Sequence, residues 1–121
     1  MILRGLLLFG IVLTLAACAT TPAPVEPRAM TLAASQQRVL EEGVAMLAER
    51  GYVIRHADTD LGRAEAVSAT WPGYQITLQV DAVGEDSSRV AFSGQRGQRP
   101  LEPYSLDRLL VDLQARLGLA P

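Results

Sequence analysis

Few side chains in this sequence can do chemistry unaided, and their neighbours decide what each can do. His56 is the single imidazole. A general base there needs a nucleophile and an orienting carboxylate within hydrogen-bond reach. A β-prone run precedes His56, and Arg55 and Asp58 lie beside it, so it reads as an exposed histidine at a strand end. Asp58-x-Asp60 opens like a calcium loop, but such a loop wants an oxygen ligand at its fifth position, glycine at the sixth and glutamate at the twelfth. Those positions hold Gly62, Arg63 and Ala69, so the segment reads as a turn. Glu41, Glu42 and Glu49 read as a solvated helix face, whereas glycoside hydrolysis needs two acids facing each other across a sugar-sized cleft.

Two other groups suit binding. Arg96 and Arg99 belong to Gly94-Gln95-Arg96-Gly97-Gln98-Arg99, a tandem that reads as a glycine-hinged loop. The stretch from Ser87 to Leu101 adds Arg89 and contains no acid. Guanidinium forks of this kind grip phosphate, carboxylate or an acidic protein surface. Trp71 and Tyr74 flank a Pro-Gly turn, a place from which aromatic rings make good contact anchors. The expected contact residues are therefore Arg96, Arg99, Trp71 and Tyr74.

Composition narrows the classes. The chain has 121 residues, 49% hydrophobic and 20% charged, with a formal net charge of −2. That length suits one domain, and the absence of a basic excess argues against nucleic acid. One cysteine and one histidine exclude a disulfide framework and multi-cysteine or multi-histidine metal sites. All eleven basic residues are arginine, which excludes Schiff-base chemistry on a lysine. No cofactor, metal or catalytic residue is expected.

The single cysteine has a better use. Arg4 is followed by the apolar run Gly5 to Leu15 and then by Leu15-Ala16-Ala17-Cys18. This is the layout of a secretory signal. Leu, two small residues and Cys resemble the lipobox of bacterial lipoproteins. The resemblance implies a signal peptide over residues 1–17, cut just before Cys18, and a diacylglyceryl group on the Cys18 thiol. Ala19 stands where that family carries Asp for inner-membrane retention, which implies the outer membrane and its periplasmic face. Losing Arg4 takes the formal charge from −2 to −3. Residues 18–30, with three prolines between Ala19 and Arg28, read as a tether, and residues 31–121 as the domain.

The elements that must position the contact residues form an α+β pattern. Leu40, Val44 and Leu47 share a helical face over Leu32 to Arg50, and Gly51 ends that helix. Tyr52 to Ile54 is a short strand, Asp58 to Gly62 a turn, and Ala64 to Trp71 a weaker strand. From Tyr74 to Val83, Ile76, Leu78, Val80 and Ala82 alternate with Gln75, Thr77, Gln79 and Asp81, which predicts a strand wet on one face. Gly84 to Ser87 turns the chain, and Arg89 to Ser93 returns it with Val90 and Phe92 inward. Ser105 is the expected N-cap of a last helix carrying Leu106, Leu109, Leu110, Leu113 and Leu117, with Tyr104 stapled onto Leu109. The expected fold is an antiparallel sheet of three to four strands, packed by an N-terminal and a C-terminal helix (α-β-β-β-β-α).

Leu40-x6-Leu47-x3-Gly51-Tyr52-x-Ile54-x3-Asp58-x3-Gly62 is similar to the helix-grip domains of a lipoprotein component of the outer-membrane β-barrel assembly machine. The resemblance spans a helix, its glycine stop, a strand and a turn. It implies a fold and no functional residue. The resulting expectation is a non-enzymatic accessory or interaction module, held on the membrane by its lipid and available to an envelope protein complex. A lipid, glycan or small-molecule binder is the alternative, with a hydrolase or inhibitor behind it.

Overall fold

The computed structural model describes residues 27–69 and 73–119. The lipobox with Cys18, most of the expected tether, and Trp71 lie outside the described residues. The chain runs β1 (Arg28–Leu32), α1 (Gln36–Glu49), β2 (Tyr52–Asp58), β3 (Arg63–Ser68), β4 (Tyr74–Gly84), β5 (Ser87–Arg96), β6 (Arg99–Pro100), a 3₁₀ turn (Pro103–Leu106) and α2 (Asp107–Arg116). All pairings are antiparallel, in the order β1-β5-β4-β3-β2, with β6 continuing the β1 edge of β5. The α+β class is as expected, and the sheet is larger.

The extra strands are β1 and the two-residue β6. The sequence pattern puts Leu32 at the start of the first helix and residues 28–30 in the tether. Instead Arg28 to Leu32 pair with Phe92 to Ser88, and the helix begins at Gln36. Ser35 decides the boundary, because its hydroxyl accepts from the Arg38 N–H and caps the first turn. Ala34, just upstream, is held by the buried Ser88 hydroxyl, which donates to its carbonyl at 2.7 Å.

Both helices cover one face of the sheet. Ile76, Leu78 and Val80 of β4 and Val90 and Phe92 of β5 meet Val39, Leu40 and Leu47 of α1 and Leu109, Leu110 and Leu113 of α2. The strict alternation of β4 makes this possible, since it sends Gln75, Thr77 and Gln79 to the opposite face. Among the described residues, no helix covers that second face. At the β2–β3 turn, Gly62 adopts φ +64°, and its carbonyl accepts from the Val80 N–H at 2.7 Å. A side chain at Gly62 would run into the Val80 carbonyl and the Gln36 amide.

The C-terminal helix starts differently from the expectation. Pro103 sets a 3₁₀ turn, and the Ser105 hydroxyl donates back to the Glu102 carbonyl instead of capping α2. Tyr104 is 69% exposed, so the staple onto Leu109 is not made. Asp107 in the first turn and Arg116 in the last still suit the helix dipole. Among the described residues, no helix is long and apolar enough to cross a membrane.

Candidate functional site

The GQR tandem is a hairpin and not an open loop. Arg96 and Arg99 pair directly across β5 and β6, leaving Gly97 and Gln98 as a two-residue turn. Gly97 has φ +61°, the first-position geometry that a II′ hairpin turn takes from glycine. The two side chains thus leave the ribbon on the same side. Arg96 also pairs with Tyr74 of β4, and its guanidinium carbon stands 5.4 Å from the Tyr74 ring centroid. That is cation–π range. Three of the four expected contact residues are therefore together.

The rung extends across the sheet. The Tyr74 N–H donates to the Ser68 hydroxyl at 2.8 Å, and Ser68 pairs with Tyr52 of β2. Tyr52, Ser68, Tyr74, Arg96 and Arg99 thus form one cross-sheet row, on the helix side but at the end of the sheet. The next row inward is apolar, with Ile54, Ala66, Ile76 and Gly94. The Leu101 N–H donates to the Gly94 carbonyl at 2.8 Å and brings Leu101 over this row. Gly94 permits that approach, since a Cβ there would stand 2.8 Å from Leu101 Cδ1 and 2.9 Å from Ile76 Cδ1.

Between these rows and the start of α2 runs a groove of about 300 Å³. Ile76, Leu101, Leu106 and Leu109 supply its apolar side, and Tyr52, Tyr74, Arg50 and Arg108 its polar rim. Burial raises the Tyr52 phenol above the ordinary tyrosine value; the Arg50 charge opposes that shift and the Tyr74 phenol adds to it. Arg50 is ion-paired with Asp112. Arg96, Arg99 and Arg108 have no carboxylate partner among the described residues. The groove can therefore hold an apolar group and place an anion at its rim. Arg50, Arg108 and Tyr52 carry no signal of this role in the sequence, because only the fold brings them beside Tyr74.

The other candidates fall elsewhere. A bulge at Arg55 in β2 turns His56 to the open face, opposite Glu65. His56 is exposed, and its imidazole makes no hydrogen bond to another described residue. Glu65 is engaged by Arg63. The Asp58 carboxylate accepts from the Asp60 and Leu61 N–H groups, which makes it a turn residue. No group of three metal-ligating side chains occurs among the described residues. Glu42 and Glu49 both bind Arg116, tying α1 to α2. The open face has a broader depression of about 380 Å³, lined by Gln75, Thr77, Gln79 and Ser93 with Arg63 and Arg89. It offers hydrogen bonds but no aromatic or large aliphatic anchor.

No protein-family model matches this chain, and the search of curated proteins found no relative.

Proposed function

We propose that this chain is a lipoprotein, anchored through Cys18 in the outer membrane and facing the periplasm, whose domain is a non-enzymatic interaction module. The anchor reading is supported by the position of the only cysteine at the end of Leu15-Ala16-Ala17-Cys18. The observation that carries the module reading is the Tyr52–Ser68–Tyr74–Arg96–Arg99 row. It gathers rigid aromatic and guanidinium groups, the side chains that dominate contact energies, at one end of the sheet. An anchored domain needs little intrinsic affinity, because the membrane holds it at high effective concentration near whatever it meets.

The test is in-cell cross-linking of the full-length chain beside the double variant Arg96→Glu/Arg99→Glu and the unanchored variant Cys18→Ser. The expected outcome is a contact that needs both the anchor and the arginines. Contacts unchanged by the double charge reversal would refute the assignment of the site. A second reading is favoured by the groove itself, whose apolar side and cationic rim suit a small anionic amphiphile. Saturable displacement of a fluorescent fatty acid, lost in Leu101→Arg, would support that reading.

A further inference from the structure

We infer that the Tyr–Arg end of the sheet is a docking face for an anionic phospholipid surface, namely the membrane that holds the Cys18 anchor. The inference rests on the anchor reading above and names the partner of the same site.

Three observations carry it. The first is a charge polarity along the sheet. At the far end, the β2–β3 turn holds Asp58 and Asp60, and the β4–β5 turn holds Glu85 and Asp86. The arginines near it are matched, Arg63 by its ion-pair partner Glu65 and Arg89 by Asp81 across the β4–β5 ladder. At the near end stand Arg96, Arg99 and Arg108, none of them paired with a carboxylate among the described residues, and the Arg50–Asp112 ion pair. The acids near this end are Asp112, Asp107, Glu49 and Glu102. The first three are already paired with Arg50, Arg28 and Arg116, which leaves Glu102. Ser88 and Arg96 are eight residue steps apart on β5, about 27 Å of strand, so the two ends are well resolved electrically. An anionic surface attracts one end and repels the other.

The second observation is where the tether joins. β1 enters at Arg28, opposite Phe92, and runs away from the Arg96 end. The chain therefore meets the domain at mid-sheet, about 13 Å from the Arg96 row, and comes in from the Arg96 side. The stretch from Cys18 to Pro27 reaches about 30 Å when fully extended. Pro27 lies beside Gly94 and Gln95, so the tether leaves the domain toward the arginine end, and a lipid on Cys18 lets that end reach the headgroups.

The third is the kind of side chain exposed there. Tyr104 is 69% exposed and Tyr74 is 37% exposed. Tyrosine places an apolar ring and a polar tip at a membrane interface, and arginine binds phosphate through its fork. The unmade Tyr104 staple leaves that ring turned outward, next to the groove rim at Ser105.

The experiment uses the acylated full-length protein with one added thiol, Gln98→Cys in the near hairpin or Glu85→Cys in the far one. Each carries a fluorophore, and Cys18 is blocked by its lipid. Vesicles contain phosphatidylcholine alone or with phosphatidylglycerol, plus a lipid bearing a headgroup quencher. Mass spectrometry of the same sample reports the acyl chains. The expected result is severalfold stronger quenching at position 98 than at 85, only with phosphatidylglycerol, falling to the position-85 level in high salt. Arg96→Glu/Arg99→Glu/Arg108→Glu should shift the docked equilibrium by about fivefold per arginine or more. The salt series on the otherwise unaltered protein stands even if that variant folds poorly. Equal quenching at the two positions, or equal quenching in the two lipids, with the acyl mass present, overturns the docking face and leaves the anchor standing. A missing acyl mass overturns the anchor reading itself.

Discussion

Gly62→Ala should destabilise the domain far more than Gly51→Ala, although both glycines have positive φ. Gly51 has φ +91° and open space around an added Cβ. Its substitution meets only left-handed backbone strain, about 1–2 kcal/mol, partly offset by about 0.4–1 kcal/mol from the stiffer unfolded chain. The net cost is about 1 kcal/mol. Gly62 has φ +64° and the same strain, but an added Cβ overlaps the Val80 carbonyl and the Gln36 amide. Relief requires moving backbone that holds two bonds, Val80 N–H to Gly62 carbonyl at 2.7 Å and Gln36 Nε2 to Val80 carbonyl at 2.8 Å. At about 1 kcal/mol each, their loss brings the total to about 3 kcal/mol. The 2 kcal/mol difference is about a thirtyfold change in the folding equilibrium. Urea unfolding of the unacylated protein, followed by far-ultraviolet circular dichroism, should place the Gly62→Ala midpoint about 1 M below that of Gly51→Ala. Coincident midpoints with equal slopes would refute the claim that crowding at the turn, rather than handedness alone, requires glycine there.

Other outcomes follow from the same structure. Ser88→Ala should cost about 1–3 kcal/mol, because it strips the Ala34 carbonyl of its buried donor; a midpoint shift below experimental error would mean that β1 and the α1 entry are held some other way. Leu113→Ala, at a fully buried position between α2 and the sheet, should cost about 2–5 kcal/mol in the same assay. The raised Tyr52 pKa favours the neutral phenol in the folded state, so its stabilisation is complete below about pH 10 and declines as pH rises further. Urea midpoints measured from pH 9 to 11 should fall, and Tyr52→Phe should flatten that fall.

The two central strands were legible because their alternation is strict: Ile76, Leu78 and Val80 inward, Gln75, Thr77 and Gln79 outward. β1 was not. Arg28 to Leu32 is short, follows prolines, and gives way to Ala33-Ala34, which reads as helix; only its pairing with β5 makes it a strand. The β2 bulge also escaped, since nothing in Ile54-Arg55-His56 marks an extra residue, yet it decides which face His56 occupies. In the C-terminal segment Pro103 overrode the capping signal of Ser105. At the candidate site, Tyr74, Arg96 and Arg99 were legible as residue types, but their grouping was not. Gly97 reads as a hinge in sequence and acts as a tight turn once Arg96 and Arg99 pair. Arg50, Tyr52 and Arg108 join them only through the packing of α1, β2 and α2.

The place of β1 beside β5 has a consequence for the order in which the chain can fold. Leu32 and Ser88 are partners far apart in sequence, and closing that segment costs about 3.5 kcal/mol of chain entropy. The β4–β5 hairpin needs only a two-residue turn, so it can form early and offer a free edge. β1 has no partner until that edge exists. The amino-terminal strand is thus a latch that closes on a finished sheet. A chain leaving a ribosome or a membrane pore from its amino end would stay open until β5 has emerged, about 60 residues after β1.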